Sequence, residues 1–271
     1  MAHFLYCLNG STIRTAPVMT QIEAASQAGY AAIELWHDKL DEHIAERGTL
    51  DDVVKSLDDH GLAVPTSIYL PDWFDSTGER YEKALEECKR RMEQAAILSA
   101  PHIIAAPPAG HADYDEGAQR YHELLEIGRA IGVKPAMEFL GFVDQLNTIE
   151  DAMEVMEKSG HPDATTVLDP FHIFRGGGSV ESISKLKSAQ IAVSHFNDAP
   201  AEPPREVQHD HNRVMPGDGH LDLRRYVELL AQTGYGQYLS LELFREDLWS
   251  QDPFEVARIG LEKMRETVEA V

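Results

Sequence analysis

The stretch TTVLDPFHIFRGGG, residues 165–178, decides the fold class of this chain. Thr166, Val167 and Leu168 form a short apolar run that is typical of a buried β-strand. The run ends in Asp169, and His172 follows three residues later. Because an Asp after a strand is commonly a turn former or a cap, its meaning depends on whether other strands end in the same way.

Similar apolar runs recur from one end of the chain to the other, and amphipathic stretches separate them. Eight strands are predicted, at residues 4–8, 31–36, 63–70, 103–106, 134–139, 165–169, 191–196 and 239–243. Helices are predicted to begin near Val18, Thr49, Gly78, Tyr114, Thr148, Val180, Asp222 and Pro253. Left-handed glycines that end helices are predicted at Gly29, Gly61, Gly132 and Gly234.

This alternation predicts an α/β fold, because strands that alternate with helices form a parallel sheet through crossover connections. Eight strand–helix pairs fit a closed (β/α)8 barrel, the TIM barrel, and we expect residues 1–271 to form one such domain. An open doubly wound sheet is the alternative. The segment CLNGSTIRT after the first strand lacks the glycine pattern of a dinucleotide-binding sheet, which disfavours that alternative.

Composition excludes several classes of function. The 46 acidic residues outnumber the 24 lysines and arginines and give a net charge of −22, which disfavours binding to nucleic acid. No apolar run approaches the roughly 20 residues that span a membrane, and the first residues lack the features of a secretory signal. We therefore expect a cytoplasmic protein. The two cysteines, Cys7 and Cys88, are too few and too far apart for a disulfide framework or a cysteine zinc site.

The last four predicted strands each carry a residue that can bind a metal at the last or the second-to-last position. The carboxyl ends of all strands in a (β/α)8 barrel meet on one face, so these residues are expected to share a site. Any one of them could instead be an ordinary hydrogen-bonded polar group, but three buried carboxylates close together need a compensating cation. The set suits Mn²⁺, Mg²⁺ or Co²⁺, and Zn²⁺ also fits. Its members are Glu138, Asp169, His195 and Glu242.

Several motifs resemble the sugar isomerase/epimerase superfamily, which has a xylose isomerase-like barrel, and most closely its inosose (2-keto-myo-inositol) isomerases. The motifs are AMEFLGF (136–142), VLDPFHIF (167–174), SHFNDAP (194–200), NRVMPGDGHLDL (212–223) and SLELFRE (240–246), and LNGSTIR and GYAAIELW extend the resemblance to the first strands. The resemblance implies one divalent metal on the same four residues. It also implies that His172 and Arg213 lie near a sugar or cyclitol substrate.

Isomerisation of a keto-polyol needs removal of a proton next to the carbonyl and stabilisation of an enediolate. A divalent metal supplies the stabilisation as a Lewis acid. We expect Glu138 and Glu242 to exchange protons with the substrate carbon, one removing and the other returning the proton. His172 would then hydrogen-bond the oxygen that alternates between carbonyl and hydroxyl, and Arg213 would orient a substrate oxygen. Few cations lie near the motifs, which predicts an unphosphorylated substrate.

Other roles for these residues stay open at this point. His172 could anchor a loop, and Arg213 could pair with Asp210 or Asp218. A dehydratase is the nearest alternative activity, because the same proton abstraction becomes dehydration when a β-hydroxyl leaves, and a non-catalytic sugar-binding protein is a third hypothesis. A homodimer is compatible with the long loops around the predicted site. Further substrate contacts are predicted at Glu34, Trp36, Asp144, Asn197 and Asp198.

Overall fold

The computed structural model describes residues 4–269. Its eight strands are β1 Leu5–Asn9, β2 Ala32–Trp36, β3 Thr66–Leu70, β4 His102–Ala105, β5 Lys134–Met137, β6 Thr165–Leu168, β7 Ile191–Phe196 and β8 Tyr238–Leu241. They pair in sequence order, all parallel, and β1 pairs with β8 to close the barrel. The predicted (β/α)8 fold is therefore confirmed.

The helices lie between the strands along the chain. Their bounds are α1 Val18–Ala28, α2 His37–Ala45, α3 Leu50–His60, α4 Glu79–Ile97, α5 Tyr114–Ile131, α6 Ile149–Ser159, α7 Pro170–Gly176, α8 Leu223–Gln232, α9 Glu246–Trp249 and α10 Pro253–Glu269. A large apolar cluster joins side chains of strands and helices into one core. None of the helices within residues 4–269 is both long and apolar enough to cross a membrane.

Local sequence signals account for several helix ends. Thr49 and Thr148 each form a capping box with the Asp three residues later, which fixes the starts of α3 and α6. All four glycines predicted to be left-handed have a positive φ, between 65° and 98°. A side chain there would strain the backbone, so glycine is the residue that ends these helices at lowest cost.

One connection differs from the prediction. The helix expected near Val180 is a 3-10 turn, Val180–Lys185, and the α-helix of this connection is α7, immediately after β6. Asp169 caps α7 through hydrogen bonds from the backbone N–H groups of Phe171 and His172, and Pro170 occupies its first turn. The sequence PFHIFRGG was too short and too rich in glycine to predict a helix.

Candidate metal centre

The four predicted metal ligands come together at the carboxyl end of the barrel. His195 lies within β7, whereas Glu138, Asp169 and Glu242 each directly follow the last residue of a strand. Within the described residues, ligand atoms of Asp169, His195 and Glu242 lie within 4.8 Å of one another. Glu138 lies at the edge of this group, with Oε1 4.0 Å from Nδ1 of His195.

Nδ1 of His195 is the point on which the carboxylates converge. It lies 3.0 Å from Oε2 of Glu242 and 3.6 Å from Oδ2 of Asp169. The imidazole is fully buried, and neither of its nitrogens makes a hydrogen bond of good geometry to the described residues. A buried nitrogen that faces carboxylate oxygens without a hydrogen-bond partner, in a set of three carboxylates and one imidazole, fits a divalent cation.

The two carboxylate oxygens of Asp169 make different contacts, one with the start of α7 and the other with the metal centre. Oδ1 accepts the two N–H groups that cap α7, at 2.8 and 3.3 Å. Oδ2 faces His195 and accepts a hydrogen bond from Nη1 of Arg213 at 2.8 Å. The amide of Asn197 donates to the same carboxylate at 3.2 Å. The carboxylate is therefore fixed in direction before any ligand binds.

Glu242 is fixed in a similar way by Asn9, a residue that the sequence reasoning missed. Asn9 Nδ2 donates to Oε1 of Glu242 at 3.0 Å, which leaves Oε2 to face His195. Asn9 also accepts a hydrogen bond from Nε1 of Trp36 at 2.8 Å. The available signal was its position as the last residue of the first strand, on the same face of the barrel as the predicted ligands.

Arg213 supplies the positive charge at this centre. Its guanidinium is buried and donates to Asp169 at 2.8 Å, to Glu242 at 2.6 Å and to Asp210 at 2.8 Å. Both alternatives considered for Arg213 are thus combined, since it pairs with Asp210 and also reaches the site. Four carboxyl groups with little or no exposure lie within 4.0 Å of the His195 nitrogens, those of Glu34, Glu138, Asp169 and Glu242, and of these the guanidinium pairs with only the last two. The excess of negative charge favours a cation at the centre.

Two carboxylates of the metal centre, those of Glu138 and Asp169, differ in their acidity. Burial, together with the neighbouring charges of Glu242 and Asp169, raises the pKa of Glu138 to about 8, although the positive charge near His195 acts to lower it. Burial also acts to raise the pKa of Asp169, but the positive charge of Arg213 contributes to holding it well below its usual value. Glu138 therefore keeps a proton near neutral pH when no cation is bound, and Asp169 does not.

His172 lies in α7 beside Arg213, and it is buried. Burial lowers its pKa to about 4, so the imidazole is neutral at pH 7. Nη2 of Arg213 lies 2.8 Å from its Nε2, and the backbone nitrogen of Gly141 lies 3.2 Å from its Nδ1. Both neighbours are donors, and a neutral imidazole has one acceptor nitrogen. Since the N–H of Gly141 donates to Nδ1, the hydrogen of the imidazole lies on Nε2 and faces the Nη2 donor of Arg213, and an acceptor on a bound ligand would satisfy these two donors.

A cavity of about 370 Å³ opens beside these residues. This volume lies in the range of small-molecule sites, about 300–1,000 Å³. Its polar lining residues are Glu138, His172, Asp210, Arg213 and Glu242. Aromatic side chains also line the cavity and suit the apolar C–H face of a ring; they are Trp36, Tyr69, Phe142 and Phe244.

Comparison with known sequences places the chain in a family. The family model described as a xylose isomerase-like TIM barrel matches residues 22–267. The chain belongs to this family. The resemblance noted in the sequence is thereby confirmed, and the barrel topology agrees with it.

Among xylose isomerase-like proteins, the chain is similar to the inosose isomerase of Halalkalibacterium halodurans, with 27% identity over 97% of this chain and 95% of that protein. It is also similar to the 3-dehydroshikimate dehydratase of Pseudomonas aeruginosa, with 24% identity over 83% of this chain and 36% of that protein. A crystal structure of the IOLI protein with a zinc atom superposes with a TM-score of 0.91 and 25% identity, covering 98% of each chain.

Four of the predicted substrate contacts of this xylose isomerase-like barrel lie elsewhere than expected. Asp144 is exposed in the loop after β5 and is not part of the cavity lining. Asn197 is buried against Asp169. Glu34 lies buried behind His195, with Oε2 3.4 Å from Nε2 of the imidazole. Trp36 is the member of this group of predictions that does line the cavity.

Asp198, the fourth, organises the long loop that carries Arg213. Oδ1 accepts the backbone N–H groups of Ala199 and Leu221, at 2.8 and 3.0 Å. Oδ2 accepts those of Gly217 and Gly219, both at 3.1 Å. The carboxylate thereby ties the start of the loop to its end.

Replacing Asp198 with Asn is expected to loosen this loop. The asparagine amide would place a donor against two N–H groups, and an unsatisfied buried donor costs about 1–3 kcal/mol. Hydrogen–deuterium exchange measured by mass spectrometry should become faster across residues 214–222. Glu206→Gln, at an exposed acid in the same loop, is the control and should leave the exchange unchanged. Equal protection in D198N and wild type would show that another contact holds the loop.

Proposed function

We propose that the protein is a divalent-metal-dependent isomerase or epimerase of an unphosphorylated keto-polyol or ketose, with 2-keto-myo-inositol as the substrate. The observation that carries this proposal is the convergence of three carboxylates and one imidazole beside a cavity with an aromatic wall. The near full-length similarity to inosose isomerases supports the choice of substrate. Arg213 is the one Lys or Arg among the described cavity-lining residues, which favours an uncharged substrate.

Glu138, Asp169, His195 and Glu242 would hold the ion. When bound, a divalent ion supplies Lewis-acid polarisation of the substrate carbonyl. The largely oxygen ligand set favours Mn²⁺, Mg²⁺ or Co²⁺, and the zinc atom in the IOLI structure supports Zn²⁺ as a further option. We propose that the native ion is one of these four.

The side chains at the cavity would then carry the proton transfer. Glu138 makes no hydrogen bond to the described side chains, so its carboxylate is free to take a proton from a substrate carbon and to return it. Glu242 directly follows β8, lines the same cavity, faces the same nitrogen of His195, and would serve as the second proton-transfer group. His172 and Arg213 would hydrogen-bond the substrate oxygens next to the reacting carbon.

Incubation of the Mn²⁺-loaded protein with 2-keto-myo-inositol in D₂O, followed by NMR, tests this proposal. Isomerisation gives a new keto isomer with solvent deuterium at the carbon next to the carbonyl. An unsaturated diketone or its enol would instead favour the dehydratase, which the similarity to 3-dehydroshikimate dehydratases makes the second candidate. Saturable binding without any exchange at carbon would favour a sugar-binding protein. The homodimer and the cytoplasmic location stay predictions from the sequence.

Metal affinity is expected to depend on pH through Glu138. The pKa of this carboxyl is raised to about 8, and a ligating carboxylate must lose its proton. The affinity should therefore rise by up to about tenfold per pH unit as the pH approaches 8, and this contribution should level off above it. Titration calorimetry at pH 7 in buffers of different ionisation enthalpy should show proton release on binding. Glu138→Gln should remove that part of the pH dependence.

A further inference from the structure

Glu34 is a buried carboxylate for which the proposed reaction has no direct use. It lies in β2 with no solvent exposure, and it is not part of the cavity lining. A carboxylate in such a position is costly unless hydrogen bonds and a neighbouring charge stabilise it. Its surroundings therefore indicate what it does.

Three donors hold the carboxylate of Glu34 in its ionised form. The hydroxyl of Thr66 donates to Oε1, and the hydroxyl of Ser240 donates to Oε2. Asn9 Nδ2 donates to Oε2 as well, at 3.1 Å. An ionised carboxylate only accepts hydrogen bonds, so any further neighbour that approaches it favourably has to be a donor.

The further neighbour is His195, whose Nε2 lies 3.4 Å from Oε2 of Glu34. The imidazole lies between two carboxylates, because its Nδ1 faces Oε2 of Glu242 at 3.0 Å. A neutral imidazole carries one hydrogen, and its position decides which nitrogen has a free lone pair. A hydrogen on Nε2 would lie on the side of Glu34, at the 3.4 Å separation of Nε2 and Oε2, and would direct the Nδ1 lone pair at the cluster of carboxylates. A hydrogen on Nδ1 would pair with Glu242, and Nδ1 would then have no lone pair with which to bind a cation.

We propose that Glu34 is a positioning residue that holds His195 in the tautomer with hydrogen on Nε2, so that Nδ1 is the atom that binds a divalent cation. The inference rests on the metal centre of the proposed function. Glu34 itself touches neither the cation nor the substrate. Its effect passes through the imidazole, in the way that outer carboxylates commonly orient histidine ligands.

Glu34→Gln tests this role because it keeps the size of the side chain and removes its charge. The Zn²⁺ dissociation constant, measured by competition with a chromophoric chelator, should increase by about 10- to 100-fold. Long-range ¹H–¹⁵N spectra of the Zn²⁺-loaded, ¹⁵N-histidine-labelled protein should also show the hydrogen of His195 on Nε2 in the wild type and a loss of this pattern in E34Q. His195 is assigned among the 13 histidines as the signal that shifts on addition of Zn²⁺.

Tyr121→Phe is the matched control. The Tyr121 hydroxyl is buried and donates to the carbonyls of Pro135 and Thr165, at the opposite ends of strands β5 and β6 from the metal centre. Its loss should lower the melting temperature without changing the Zn²⁺ dissociation constant. Ser240→Ala, which removes one donor to Glu34, is the second variant if E34Q does not fold, and it should weaken Zn²⁺ binding in the same direction by a smaller factor.

Unchanged Zn²⁺ affinity in a folded E34Q or S240A variant would overturn the inference, as would a wild-type protein that binds no Zn²⁺. Weakened affinity together with an unchanged His195 tautomer would also overturn it. The proposed function is judged separately, by hydrogen exchange at carbon in the loaded wild type. A protein that binds Zn²⁺ through an Nε2–H imidazole but does not turn over 2-keto-myo-inositol would retain the inference and reject the substrate.

Discussion

Glu138→Gln is expected to lower the turnover of 2-keto-myo-inositol by roughly 10²–10⁴-fold, the usual contribution of a general acid–base group. The amide has nearly the same shape as the carboxyl group, but it cannot take a proton from carbon. Its charge is also lost from the metal centre, so cation affinity should fall as well. NMR at saturating Mn²⁺ gives the rate, and calorimetry gives the affinity, so the two effects are measured separately.

Asp144→Asn is the control for this experiment. Asp144 belongs to the same connection after β5, but it is exposed and outside the cavity lining. Its replacement should leave rate and affinity at the wild-type values. Glu242→Gln should resemble Glu138→Gln, because its carboxylate faces the same cavity. Near wild-type turnover in either glutamine variant would remove the assignment of these two residues as the proton-transfer pair.

Arg213→Met is expected to lower the free energy of unfolding of the metal-free protein by about 3–5 kcal/mol, the cost of leaving buried charges without their partner. Methionine fills much of the space beside Phe171 and Phe244, over which the guanidinium lies at 4.9 and 5.3 Å. Asp169 and Glu242, however, lose their common donor. Urea unfolding in the presence of a chelator measures the loss.

Divalent cation should restore part of the stability of R213M. A ligand that binds only the folded state stabilises it, and here it would also replace a missing positive charge. Turnover should stay low, because the donor to the substrate oxygen is still absent. Arg225→Met, which removes an exposed pair with Glu181, is the control and should change the unfolding midpoint little. Equal stability of R213M and wild type without cation would mean that Asp169 and Glu242 are not charged together in the folded protein.

The sequence predicted the barrel well because parallel strands of a barrel are buried on both faces and leave continuous apolar runs. It did not predict α2 or α9, which directly follow strand ends and lie in connections without a separate apolar pattern. It also placed Glu138 and Glu242 inside strands. In the structure β5 and β8 end one residue earlier, so both side chains face the centre from the first residue after a strand.

The metal ligands could be predicted more fully from the sequence than the residues that position them. Acids and a histidine at strand ends carry a chemical signal, whereas Asn9 is a neutral amide that matters only because of where its neighbours lie. The amide partners of Asp198 come up to 23 residues later, in a loop whose path the sequence does not specify. Glu34 has the residue type of a substrate contact, but the side of the imidazole on which it lies is a property of the folded barrel.

The hydrogen bond from Trp36 to Asn9 has a consequence for attempts to change substrate range. Trp36 forms part of the cavity wall, and Asn9 holds one oxygen of Glu242. An engineer who replaces the tryptophan by a smaller apolar residue to admit a bulkier ring would also leave the Asn9 carbonyl without its indole donor. The side chain of Asn9 also donates to Glu242, so the same change would alter both the shape of the cavity and the position of a proposed proton-transfer group. A variant with a larger cavity therefore needs another donor to the side-chain oxygen of Asn9.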